Sequence, residues 1–231
     1  MSRTGQDTAE RTEPGRPEPV LDAIRDAITG GEFAPNQRLV EAELSEQFGA
    51  SRASVRNALL HLASEGLVER IQNRGARVRA ISVAEAIEIT EVRMVVEGLC
   101  AAKAAERVTE ADRRALRELG GQMKTAVAAG DVLGYSDLNR RLHALIRTLS
   151  GQETARSVLE RLRLQNVRHQ FRLAMHPGRP SVSLPQHLEI IEALCGGDAD
   201  AAEAAVRRHL RSVIDALPEV EDSRTKRFDV L

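Results

Sequence analysis

Apolar residues recur at helical spacing from Val20 onward. Val20, Ile24 and Ile28, with Leu21 and Ala27 beside them, form one stripe that Gly30-Gly31 ends. Phe33-Ala34-Pro35 reads as a connector. A short helix follows over about Glu41 to Phe48, with Leu44 and Phe48 one turn apart, and Gly49-Ala50-Ser51 breaks it. Ser51 suits the N-cap of the next helix, its hydroxyl satisfying an orphan amide. That helix covers about Arg52 to Ser64, turns Val55, Leu59 and Leu62 inward, and stops at Gly66. Leu67 to Ile71 and Ala76 to Arg79 then alternate around Gln72-Asn73-Arg74-Gly75, the pattern of a β-hairpin. Residues 1–18 are polar and without period, and are expected to be disordered.

Beyond Ile81 every pattern is helical, in six pieces. The first runs from Ser82 to about Val108. Thr109-Glu110-Ala111-Asp112 opens the second as a capping box, to about Ala129. Gly130-Asp131 separates a third, to Leu149, and Gly151 a fourth, to about Ala174. His176 to Pro180 reads as a rigid loop. A fifth starts near Pro185 and ends at Gly196-Gly197, and Asp198 opens the last, to Leu217. Residues 218–231 are expected to form a loose tail. Short connections imply antiparallel neighbours. The expected fold is mainly α: residues 19–80 as one small domain with a hairpin, residues 81–217 as an antiparallel helical bundle.

Composition narrows the function classes. Aromatic residues make up 2% of the chain and Trp is absent. That argues against a stacking platform for single-stranded nucleic acid and against most β-sandwiches. The uncharged apolar stretches fall far short of the ~20 residues that span a bilayer, so no membrane segment is expected. The start of the chain lacks the apolar core of a signal peptide. Cys100 and Cys195 lie in apolar helical patterns and read as buried thiols in a reducing cytoplasm. The net charge of -1 hides a basic cluster: Ser51 to Arg79 holds six Arg against two Glu. Such a cluster on a neutral chain points to a restricted anionic partner.

Two helices joined by a Gly-containing turn, then a basic hairpin, make a winged helix-turn-helix. A helix fits the major groove of double-stranded DNA and meets base edges with its N-terminal residues. Arg52 and Arg56 share one face of the second helix, and Ser51 and Ser54 add short donors. Arg74-Gly75 at the hairpin tip suits a close approach to the backbone or minor groove. The competing reading is that the arginines only solubilise a surface helix.

The run Pro35-Asn36-Gln37-Arg38-Leu39, Glu43-Leu44, Phe48-Gly49-Ala50-Ser51-Arg52-Ala53-Ser54-Val55-Arg56-Asn57-Ala58-Leu59, Glu65-Gly66-Leu67-Val68 and Arg74-Gly75-Ala76-Arg77-Val78 resembles the winged helix of GntR-type bacterial regulators. It departs from the usual pattern at Asn36, where Gly is usual, at Ala50, and at Ala53-Ser54. The resemblance implies DNA contacts from Arg38, Arg52, Arg56 and Gly75, with Ser51 and Ser54 as weaker contacts.

The bundle carries no nucleophile motif, phosphate loop or Cys pair, so no catalytic residue is assigned. It does carry polar residues on faces that should be apolar. Asn139, Leu142, His143 and Ile146 share a stripe; so do His187, Ile190, Ile191 and Leu194; so do Ala202, Ala205, Val206, His209 and Val213. One such His is more often a hydrogen-bonded core residue than a ligand. Burying each imidazole unpartnered costs roughly 1–3 kcal/mol, and three such burials call for a shared cause. A divalent metal supplies one. Three imidazoles with the amide oxygen of Asn139, one turn before His143, suit Zn, Ni or similar ions. His169 is less clearly inward, and His61 and His176 read as surface or loop residues.

Glu91-Val92-Arg93-Met94-Val95-Val96-Glu97-Gly98-Leu99, Asn139-Arg140-Arg141-Leu142-His143, His187, Ile191-Glu192-Ala193-Leu194, Gly197-Asp198 and His209-Leu210 are similar to the effector-binding (FCD) domain of the FadR branch of that family. Asn139 stands where many members have Asp. The resemblance implies a small carboxylate effector reaching the metal. It places Arg93 where it can pair with that carboxylate, although an ion pair to Glu97 at i, i+4 is an equal reading.

The expected function is a DNA-binding regulator, a homodimer on a palindromic operator, whose affinity responds to a small organic acid held at or near a divalent metal. Two other readings compete. One is a sensor for which the metal itself is the effector. The other is a metal-dependent hydrolase with an appended DNA module, for which Glu189 or Glu192 would have to supply an inward carboxylate.

Overall fold

The structure, a computed structural model, describes residues 19–71 and 75–228, the last eight as backbone alone. The expected disorder of residues 1–18 and the expected turn at 72–74 lie outside the described residues. The fold is mainly helical, as the patterning implies, and the chain divides after Arg79 into two compact units.

In the first unit, helix α1 (Pro19–Gly30) buries Val20, Leu21, Ile24, Ala27 and Ile28 against α3 (Arg52–Ser64). Helix α2 (Glu41–Gln47) precedes α3, whose N-cap is Ser51: its hydroxyl oxygen accepts from the Ser54 amide at 3.1 Å. Strands β2 (Val68–Ile71) and β3 (Gly75–Val78) pair antiparallel as expected. A further strand, β1 (Arg38–Leu39), adds to the other side of β3, giving the order β1-β3-β2. Two residues are too few for an alternation to reveal. Asn36 sits at φ 64, the left-handed region that Asn tolerates better than most residues, which explains how it stands where relatives of the motif have Gly.

The second unit is the helical bundle: α4 (Val83–Ala105), α5 (Glu110–Ala128), α6 (Val132–Ser150), α7 (Glu153–Gln165), α8 (Val167–Ala174), α9 (Arg179–Gly196) and α10 (Ala199–Phe228). Helix α4 is central and packs against α6, α7, α9 and α10. Gly98 lets α10 approach: a Cβ there would meet the Glu203 and Arg207 side chains at 3.2–3.4 Å. The Thr109–Asp112 capping box is present, and both cysteines are buried.

Three helix boundaries depart from the sequence pattern. The expected fourth helix breaks at Asn166, whose buried amide donates to Thr90 Oγ1 at 3.2 Å instead of continuing an apolar stripe. Helix α9 begins at Arg179 and carries Pro185 inside it, where a loop to Pro180 and a start near Pro185 were expected. Helix α10 passes Leu217 and Pro218 and continues to Phe228, in place of a loose tail from 218. Proline removes one amide bond, but Leu217 is buried and Val220 lies against the core, so packing carries the helix through.

Candidate functional site

In the first unit, Arg38, Arg52, Arg56 and Arg70 surround an open concavity of about 610 Å³ that Gly75 also lines. Arg52 and Arg56 stand one turn apart on the exposed face of α3. Ser51 and Ser54 form the cap of α3 and bond to each other, Oγ to Oγ at 3.1 Å. Gly75 has φ 87, and a Cβ there would lie 2.3 Å from the Leu39 carbonyl oxygen. Its lack of a side chain is therefore required by the β1–β3 approach, a reason separate from any partner. Arg74 lies outside the described residues.

In the bundle, His143, His187 and His209, from α6, α9 and α10, converge. Their ring centroids lie 4.3–5.7 Å apart, and one ligand atom from each falls within 4.8 Å of the others. Each ring is held from outside through Nδ1. His143 Nδ1 donates to the Glu97 carboxylate at 2.8 Å, and His209 Nδ1 donates to Gln186 Oε1 at 3.0 Å. His187 Nδ1 meets the Tyr135 hydroxyl at 2.7 Å. The Glu97 and Gln186 oxygens can only accept, so they fix two tautomers and turn Nε2 lone pairs inward. The Tyr135 hydroxyl can donate or accept. With no cation, it donates to His187 Nδ1, and His187 Nε2 donates to His209 Nε2 at 3.3 Å. With a cation, Tyr135 accepts and all three inner nitrogens face it as lone pairs.

Burial sets the charge states. It pushes the His187 imidazole well below its ordinary 6.5, helped by the nearby His209 and His143, and pushes His209 well below the same value, helped by His143 and Arg179. His143 is also lowered by burial, which outweighs the pull of Glu97. Burial alone would raise the Glu97 carboxyl, but Arg93 and His143 hold it well below its usual range. The three rings are therefore neutral at pH 7, the form that ligates metals.

Asn139 Oδ1 is buried beside these rings and has no hydrogen-bond partner. Three neutral imidazoles and an orphaned amide oxygen fit a divalent metal of the Zn or Ni kind. The group lines a cavity of about 80 Å³ whose further walls include Arg163, Gln170 and Arg179. Burial pushes Arg163 down to about 10, still cationic at pH 7. Arg179 donates from Nη1 to Ser212, while its Nη2 and the Gln170 amide nitrogen are buried without partners. Arg93 is taken by Glu97 at 2.7 Å, with both side chains about 5% exposed or less. The ion pair expected of Arg93 is thus formed, and Arg93 also lines the cavity.

His61 is exposed and His176 lies in the turn after α8. His169 is buried, and its Nε2 donates to the Ile81 carbonyl at 2.8 Å. Glu189 and Glu192 are exposed, and Glu189 pairs with Arg208. The inward carboxylate required for a hydrolase is thus absent from those positions, and Glu97 is occupied by Arg93 and His143. Sequence reading missed Tyr135, Gln186, Arg163 and Arg179. Two of these were visible in principle: Tyr135-Asn139-His143 and Arg179-Ser183-His187 each repeat at i, i+4, i+8.

Among the described residues, no helix is long and apolar enough to cross a membrane. Two family models match: "Bacterial regulatory proteins, gntR family" over residues 17–78, and the FCD domain over residues 88–212. The chain is 29% identical over 196 residues to the HTH-type transcriptional repressor RspR of Escherichia coli K12, covering 85% of this chain and 86% of that one. It is 31% identical over 210 residues to an HTH-type transcriptional regulator in an unstable DNA locus of Streptomyces ambofaciens, covering 85% and 83%. Among solved structures, E. coli McbR/YncC shares the fold with a TM-score of 0.71 at 22% identity, over 87% of this chain and 95% of that one. The matched families and relatives are transcriptional regulators, not enzymes.

Proposed function

The chain belongs to the gntR family of bacterial regulatory proteins and carries an FCD domain, and from that premise we propose that a small organic acid, bound at or beside a divalent metal in the bundle, sets its affinity for an operator. The pairing of these two domains supports the FadR branch. Repression is the proposed sign, the sense in which the E. coli relative is named.

The observation that carries the reading is the buried centre itself. His143, His187, His209 and Asn139 Oδ1 would hold the ion, with Glu97 and Gln186 orienting two rings and Tyr135 adapting the third. A bound metal supplies an electrophilic contact for a carboxylate oxygen. Arg163 and the unpartnered Arg179 Nη2 supply cationic donors in the same cavity, so an acid would meet complementary charge away from water.

Helix α8 offers a path outward. Gln170, Leu173 and Ala174 line the cavity, and His169 on the same helix holds the Ile81 carbonyl, two residues past the division of the chain. A ligand that shifts α8 would shift the start of α4, where the chain enters the reading head. Such coupling requires that the ligand bind the two states with different affinity.

Homodimerisation is supported by Val92, Val95 and Leu99 on α4. They are 50%, 52% and 43% exposed at i, i+3, i+7, an apolar stripe that a second copy would cover.

The test is fluorescence anisotropy on a duplex selected in vitro. Chelator-stripped protein, zinc-loaded protein, and zinc-loaded protein with a panel of mono-, di- and tricarboxylates are compared. One acid is expected to change operator affinity by about 5- to 150-fold, with metal required. A shift on metal alone supports the metal-sensor reading instead. No shift under any condition overturns ligand control.

A further inference from the structure

Among the described residues, the arginine-lined concavity of the reading head contains one carboxylate. Glu41, the first residue of α2, lines it together with Arg38, Arg52, Arg56 and Arg70. A face meant to grip a polyanion gains nothing in raw affinity from an inward acid. Glu41 is also not a loose surface group. Its Oε2 accepts from Arg56 Nη2 at 2.9 Å and from Nε at 3.2 Å, and its Oε1 lies 3.3 Å from the same Nε. Its side chain is only 24% exposed, while that of Arg56 is 58% exposed. The carboxyl is held below its usual range, chiefly by the bond to Arg56 with the charges of Arg70 and Arg52 behind it.

The two arginines of the α3 face therefore differ. Among the described residues Arg52 makes no ion pair. Arg56 is gripped along its Nε–Nη2 side. That grip leaves the donors of Nη1 and one on Nη2, a planar fork whose direction is fixed. A phosphate approaching the fork would also approach the Glu41 carboxylate and be repelled. The acceptor edge of a guanine carries only partial charge, matches the fork bidentately, and escapes most of that repulsion. Discrimination of this kind needs an unfavourable element as well as a favourable one.

We propose that Glu41 is a specificity-determining residue of the DNA interface: it fixes the Arg56 guanidinium and repels phosphate from it, so that Arg56 reads a guanine edge and not the backbone. Glu41 acts through Arg56, as a positioning residue, and needs no DNA contact of its own. The inference rests on the head alone and stands whether or not the bundle binds metal or acid.

Selection from a random duplex pool, followed by binding to the selected and to a random-sequence duplex across salt concentrations, tests it on the full chain. Wild type is expected to select a guanine at one position in each half-site. Glu41→Gln should flatten that position and bind random duplex about 3- to 10-fold tighter. It should also steepen the slope of log affinity against log salt by about one, as one more phosphate is neutralised. Glu41→Asp keeps the charge but is one methylene short. It also suits the start of α2, so folding is preserved; it should flatten the same position with an unchanged salt slope. In an Arg56→Lys background, Glu41→Gln should leave the profile as that background has it. Wild-type profiles from both single variants overturn the proposal. So does an equal loss of affinity for both duplexes, or a further change of profile in the Arg56→Lys background, since either would mean that Glu41 does not act through Arg56.

Discussion

The reading head and the bundle place their working side chains in opposite environments. Arg52 and Arg56 stand in solvent, while His143, His187 and His209 are 6%, 1% and 4% exposed. In solvent, water satisfies any donor that finds no protein partner, so the head can hold its arginines ready at little cost to stability. In the bundle the rings are buried, where an unpartnered imidazole is costly, and each has an outer partner: Glu97, Tyr135 or Gln186. The head is thus a surface that can vary residue by residue. The bundle centre is one connected network in which each member fixes the protonation or orientation of another.

That contrast can be broken by single substitutions. The largest effect is expected in the bundle. His143→Ala, His187→Ala and His209→Ala should each take metal content from about one ion per chain to near zero by elemental analysis, since the ligands act as a set. Glu97→Gln should retain the site and weaken metal affinity about 10- to 100-fold in a competition titration, because His143 loses its anionic partner. Retained stoichiometry in all three His variants removes the metal from the reading. A smaller effect is expected in the head. Arg52→Ala should weaken operator binding by roughly 1–3 kcal/mol in a gel-shift titration. Metal content and melting temperature should stay at wild-type values, as the residue is exposed. Unchanged operator binding would show that Arg52 only solubilises α3.

The same contrast explains what the sequence disclosed. The head was legible almost entirely, because a cap at Ser51, two helices and an alternating hairpin are local signals. The strand Arg38–Leu39 escaped, since two residues make no pattern and only β3 reveals their role. At Gly75 the missing Cβ is legible in the sequence, but its service to the Leu39 carbonyl is not, because that contact depends on β1. In the bundle, the three histidines were legible as polar residues on apolar stripes. Their outer partners were not, because Glu97 and Gln186 reach them from positions 46 and 23 residues away. Arg179 was lost for a different reason. Proline in the sequence at 180 and 185 reads as a loop and a helix start, so the i, i+4, i+8 series Arg179-Ser183-His187 was cut in two. Pro218 misled in the same way at the other end of the bundle. Proline statistics describe isolated backbone, and packing overrode them at both places.

The convergence of the three imidazoles is the claim on which ligand control depends. X-ray absorption at the metal edge of zinc-loaded protein tests it most directly. The expected spectrum shows nitrogen and oxygen scatterers only, with the outer-shell scattering of three imidazole rings that His143, His187 and His209 would supply. A sulfur scatterer from Cys100 or Cys195, or a shell without imidazole, would contradict it.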